Sequence, residues 1–192
     1  MATKTRLKKK PVGIPIIGDA AHNHGFLIAI GGLVVAWANN ESVFLALLQA
    51  LIHGGQLSAS VIWHSLRTTN ARLELVDRLS REQVTDAALL KDVQRAIDQF
   101  KGFSRTRHFF CHATYNYDNE RHLASATGAS VTQEGEPIRF VTKPMDRATI
   151  NEIGDATVKL ASFNRELWAL VPRIEAALGV RRVKLPSFPP EK

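Results

Sequence analysis

The chain carries a single cysteine, Cys111, among its 192 residues. One cysteine forms no internal disulfide, which excludes a disulfide-stapled secreted scaffold and fits a reducing cytoplasm. Acids are missing from the start, where residues 1–10 hold Lys4, Arg6, Lys8, Lys9 and Lys10 with neither Asp nor Glu. Residues 181–192 add Arg181, Arg182, Lys184 and Lys192 against Glu191 alone. These nine cations and one anion leave 16 of the 25 basic and 17 of the 18 acidic residues in between. The net charge of +7 therefore belongs to the two ends, and the body is close to neutral. Basic ends can hold a polyanion loosely through phosphate contacts, but the body offers no broad basic surface for one.

Long hydrophobic runs are scarce. The first, Phe26 to Ala38, covers 13 residues, and a bilayer needs about 20. Extending it to Ile52 would bury Asn39, Asn40 and Glu41 in lipid, so a buried helix is expected and no membrane association. Pro11, Gly13 and Pro15 follow the basic start where a signal peptide would need an apolar run. No internal repeat is found. With 45% hydrophobic and 22% charged residues, what remains is one ordinary globular domain. The expected organisation is a basic arm over 1–25, a helical domain over 26–179, and a proline-containing basic tail over 180–192.

Four helical segments are expected, over about 27–52, 58–81, 85–112 and 146–178. On the first, a step of about 100° per residue puts Ile30, Val34, Trp37, Leu45, Leu48 and Ile52 within about 40° of Glu41. Glu41 then lies on the apolar stripe, and His53, Gly54 and Gly55 end the helix. On the second, Ala59, Ile62, Leu66 and Leu73 form the buried face, with Asn70 on it. On the third, Leu89, Val93, Ile97 and Phe100 form the stripe, and Gly102 is a place for a kink. Before the last helix, Ser130-Val131-Thr132 and Ile138 to Thr142 flank the turn-like Gln133 to Pro137, the pattern of a small β-hairpin. The last helix starts at Asp146 or Thr149, with Thr149 and Glu152 at capping-box spacing, and Pro172 should bend it. The fold class is mainly α: a four-helix bundle with a hairpin before the last helix.

The densest polar cluster is Lys101 to His112, at the end of the third helix. Relative to Val93, Arg107 falls at about −40°, His108 at about 60°, His112 at about 100° and Arg105 at about 120°. Arg107 thus lies along the apolar stripe, where an unpaired charge is costly. Glu41 has the same difficulty, and the economical solution is that the two meet, with Asn70 adding a third polar group.

Arg107-His108-Phe109-Phe110-Cys111-His112 resembles the motif of the HEPN domains, an Arg and a His with four to six residues between them. Trp37 to Glu41 on a long first helix is similar to the acidic first-helix pattern of bacterial HEPN-like proteins, and the resemblance spans about residues 26–178. His108 and Ala113 stand where many members have Asn and Gly, and Arg105 also has a permitted distance to His112. The resemblance implies a four-helix HEPN-like bundle and a metal-independent endoribonuclease of toxin, phage-defence or stress systems, needing no cofactor. His112 would serve as general base or acid on the RNA 2′-hydroxyl, and Arg107 would stabilise charge on the phosphorane. Glu41 would orient Arg107, and His108 or Asn70 would position the phosphate. The implied partners are RNA, a second copy of the chain, and an antitoxin or other protein.

Other readings of the same residues stay open. His108, Cys111 and His112 share one helix end and could hold a metal with His22, His24 or His122. Tyr115 and Tyr117 could stack bases. A HEPN-like module could also bind RNA, a nucleotide or a protein without cutting anything.

Overall fold

The computed structural model describes residues 21–130 and 139–180. Among these, five helices run as α1 (Ala21–Leu51), α2 (Gln56–Ser65), α3 (Thr69–Gln83), α4 (Ala87–His112) and α5 (Arg147–Leu178). Three strands, β1 (Thr114–Tyr117), β2 (Leu123–Ser130) and β3 (Arg139–Pro144), lie between α4 and α5. The molecule is mainly helical, as expected, but with five helices for four and a three-stranded antiparallel sheet, order β1-β2-β3, for a hairpin. Residues 1–20, 131–138 and 181–192, which include most of the expected basic ends and the turn at Gln133 to Pro137, lie outside the described residues.

The expected second helix breaks at Leu66 to Thr68. Leu66 and Thr68 are extended, and the Thr68 hydroxyl accepts from the Ala71 amide at 3.1 Å. A threonine that caps the next turn competes with continuing the previous one. The Arg72 Nε then donates to the Trp63 and Leu66 carbonyls at 3.1 and 3.2 Å, satisfying the end of α2. The break rotates the faces: Ala59 and Leu73 stay buried, but Ile62 is largely exposed and Asn70 is exposed rather than inward. The turn after α1 also differs from expectation. His53, not a glycine, takes the left-handed backbone (φ 48°), and its Nε2 meets Gln83 Oε1 at 2.8 Å.

Long helices form the core. Trp37 stacks on Phe100 with ring centroids 4.2 Å apart, and Phe44 and Phe163 close on the same ring from α1 and α5. The α4 stripe of Leu89, Val93, Ile97 and Phe100 is buried as expected, and Gly102 leaves α4 continuous. α5 likewise runs through Pro172 and ends on Gly179 in the left-handed region (φ 64°). Its N-cap is Asp146, which accepts from the Thr149 amide at 2.9 Å; Thr149 lies inside the helix, and Glu152 binds Lys143.

α1 is apolar on every side. Its buried line runs through Leu33, Ala36, Trp37, Asn40, Val43, Phe44 and Leu47, so Asn40, fully buried, takes the inward place expected for Glu41. The Asn40 amide donates to the Ala36 carbonyl at 2.8 Å and to the Leu160 carbonyl of α5 at 3.0 Å. α5 packs on α1 in ordinary contact at Gly25 and Gly32, whose nearest neighbours would be Ile150 and Thr157.

The sheet closes the end of the bundle. β2 lays Gly128 on the Phe109 ring so closely that a Cβ there would sit 2.8 Å from ring carbons. Asn23 ties the start of α1 to the turn before β2, accepting from the Leu123 amide at 2.8 Å and donating to the Arg121 carbonyl at 3.1 Å.

Candidate functional site

The sequence motif occupies the last turns of α4. Arg107 is half-buried, and its guanidinium lies over the Trp37 ring, 5.6 Å from the centroid. His108 and His112 are exposed one turn apart, with ring centroids 4.7 Å from each other. α4 ends at His112, and Ala113 turns into β1, so both imidazoles stand at the junction of bundle and sheet.

The expected Glu41–Arg107 pair is not formed. Glu41 accepts from the Thr69 hydroxyl at 2.6 Å and faces Arg72 Nη1 at 3.5 Å. The physical reason is the broken second helix. The short α3 that results brings Thr69 and Arg72 to the flank of α1 that carries Glu41. Arg72 also spreads over the Trp63 ring at 5.2 Å, so it is held by a carboxylate, two carbonyls and an indole. Arg107 has no ion-pair partner among the described residues, and stacking on Trp37 takes the place of one. The Trp37 Nε1 is buried with no hydrogen-bond partner among the described residues, a cost accepted at this contact.

Stability should follow these contacts. Arg72→Ala removes the partner of Glu41 and uncaps α2, so it is expected to cost about 2–3 kcal/mol. Arg107→Ala loses a stacking contact worth about 1–2 kcal/mol. A thermal melt should rank Arg72→Ala below Arg107→Ala; the Glu41–Arg107 arrangement would reverse that order.

The remaining expected residues are dispersed. Asn70 is exposed on α3, and Arg105 is exposed on α4. Tyr115 turns inward on β1 and packs with Phe26, Leu123, Ala126 and Met145, its hydroxyl donating to the Phe110 carbonyl. Burial, with the Cys111 and Tyr117 groups adding to it, pushes the Tyr115 hydroxyl from 10.0 up to about 12. This tyrosine braces α4 rather than offering a ring to a base. Folding favours its protonated form, so its contribution is fully present below pH 10 and is lost as the pH climbs toward 12. Alkaline unfolding should therefore steepen between those values, and Tyr115→Phe should flatten that limb in a pH series of melts.

One group here was not singled out from the sequence. Lys143 on β3 binds both Glu152 oxygens at 2.5 and 2.6 Å and lies over the Phe109 ring at 5.2 Å, locking sheet, α4 and α5 together. Its signal was weak, a lone lysine in a short strand. Among the described residues, no three His, Cys, Asp or Glu groups stand together as metal ligands.

No family model, curated protein or solved structure matches the chain. The residues of the site therefore carry the functional reading by themselves. What they make is an arginine laid on an indole and, on the outer side of the same helix end, two accessible imidazoles. The arginine can take an anion because no carboxylate among the described residues neutralises it, and the imidazoles offer ring nitrogens that donate or accept hydrogen bonds.

Proposed function

We propose that the chain is a HEPN-like, metal-independent endoribonuclease built on the HEPN-like bundle and acting as a homodimer. The observation that supports this reading best is that Arg107, stacked on Trp37 with no ion-pair partner among the described residues, and the His108–His112 pair share the last turns of α4. In the proposed reaction one imidazole takes the proton of an RNA 2′-hydroxyl, and the 2′-oxygen attacks the adjacent phosphorus. The bond to the 5′-oxygen breaks, and the other imidazole gives that oxygen its proton. A 2′,3′-cyclic phosphate and a 5′-hydroxyl result, so proton count and charge balance without a metal or cofactor. Arg107 holds the phosphoryl oxygens as charge gathers on them. Glu41 has no part in orienting it and belongs to the framework. A toxin or defence system in the cytoplasm, with an antitoxin as protein partner, is the setting this reading implies.

The test is incubation of the purified protein with mixed RNA in EDTA, with product ends analysed. Cyclic phosphate ends from the wild type support the reading; cleavage that needs Mg²⁺ overturns it. A non-catalytic HEPN-like module is the second reading. The exposed position of both histidines favours it.

A further inference from the structure

The outer face of α1 carries no charge. Residues 21–40 contain no Asp, Glu, Lys or Arg, and Leu27, Ile28, Gly31, Val34, Val35 and Ala38 all turn outward. Ile28 is 73% and Val35 59% exposed, and a Cβ on Gly31 would meet nothing. The stretch Asn23–Leu51 is long and apolar enough to cross a bilayer by length and composition, with only 33% of its most apolar window buried. Crossing would tear the other half of α1 out of the core, where Leu33, Phe44 and Leu48 are fully buried and Asn40 holds the Leu160 carbonyl. A helix apolar all round but seated on one side only presents its free side to something else.

α5 widens that face. A groove of about 410 Å³ runs between Gly32, Val35 and Asn39 of α1 and Thr157 and Ala161 of α5, and Val158 beyond it is 69% exposed. Two uncommitted arginines stand at its rim. Arg165 lies one turn from Ala161 and Arg147 two turns from Gly154; both are exposed, and neither has an ion-pair partner among the described residues. The acids of α5 stand elsewhere: Glu152 and Asp155 line a groove with Gly102 and Phe103 of α4, and Glu166 lines another with Asp92 and Arg95. Ahead of α1 the sequence holds five more cations in residues 4–10 and one acid, Asp19, in residues 11–20.

We propose that the α1–α5 face lies flat on an anionic phospholipid membrane, its apolar centre among the acyl chains and its arginines and the basic run at the headgroups. An apolar patch with arginines at its rim is complementary to that surface, and one weak apolar signal plus a polybasic segment makes binding stable where either fails alone. The inference is independent of the ribonuclease reading.

The test uses the full chain with vesicles of phosphatidylcholine alone or with added phosphatidylglycerol. The protein should sediment with the anionic vesicles and stay in solution with the neutral ones. Val35→Asp and Val158→Asp should each lower partitioning by about tenfold or more. Arg147→Gln and Arg165→Gln should each lower it about fivefold. All four positions are exposed, so circular dichroism melts should match wild type, and the α5 variants keep the test alive if the α1 variant fails to fold. Equal binding to neutral vesicles, or none to anionic ones, overturns the proposal. So does a lipid-free dimer, seen by light scattering, that Val35→Asp converts to monomers, because a second copy then covers the face.

Discussion

RNA cleavage in EDTA is expected to fall by a factor of about 10² to 10⁴ when His112 becomes alanine, with the melting temperature almost unchanged. The imidazole is exposed in the last turn of α4, and its ring contact is with His108, so the fold loses little with it. His108→Ala should produce a loss of similar kind, because the proposed reaction needs one proton acceptor and one donor. Arg107→Ala should also remove cleavage, by about 10²–10³, because it deletes the cation that meets the developing charge. Its stability cost is set by stacking on Trp37, since Glu41 keeps Arg72 when Arg107 is gone. Glu41→Gln, by contrast, should leave cleavage near wild type. Gel assays on the four variants at matched concentration, with melts beside them, decide the matter. A wild-type dimer that cuts no RNA would leave the arginine and histidines as a binding surface and overturn the enzyme reading.

The largest effect on stability should come from Asn40→Asp. The Asn40 amide donates to two carbonyls, Ala36 and Leu160, at a place with no solvent access. A carboxylate there faces two acceptors with no proton to offer, and its charge has no cation to meet. The cost at pH 7 is about 3–5 kcal/mol, the range for an uncompensated buried charge. Desolvation and the two carbonyl dipoles favour the protonated acid, so the folded-state pKa of the new group is raised. Folding then binds the proton: the variant is most stable below the unfolded value of about 3.9 and loses stability as the pH rises above it. Asn40→Leu should cost less, about 1–2 kcal/mol, because both carbonyls keep their helical bonds and lose only a second donor, and the half-buried Asn164 amide loses its 3.4 Å contact with Asn40 Oδ1. Urea melts at pH 4 and pH 7 should separate the two variants. Equal melts for Asp and Leu at pH 7 would mean that Asn40 is not closed off from water.

Periodicity marked α4 and α5 in the sequence because each has one apolar side. The stripe of Leu89, Val93, Ile97 and Phe100 could only face inward, and Ile153, Leu160, Leu167 and Ile174 likewise. Gly179 as the stop of α5 was equally legible, since a left-handed residue there is cheap only for glycine. The placement of Arg107, His108 and His112 together at one helix end also came from spacing alone. α1 was different. With apolar residues on every side, its sequence sets no inward direction, and the choice between Asn40 and Glu41 fell to what packs against it. The α5 backbone chose Asn40, whose short amide reaches the Leu160 carbonyl across the contact. Glu41 was left on the flank, and its partner depended on a chain break that local propensity does not reveal. Thr68 capping α3, and Arg72 closing the end of α2, outweigh continuation of one long helix only because Trp63, Glu41 and Thr69 are brought beside Arg72 by the tertiary fold. β1 was hidden for a similar reason: a run of only four residues gains its strand conformation from pairing with β2. The sequence by itself thus determined the helical class, the two one-sided helices and the residues gathered at the end of α4. Tertiary structure decided which side of α1 is inside, which arginine meets Glu41, and that the sheet has three strands, because each of those turns on contacts between segments far apart in the chain.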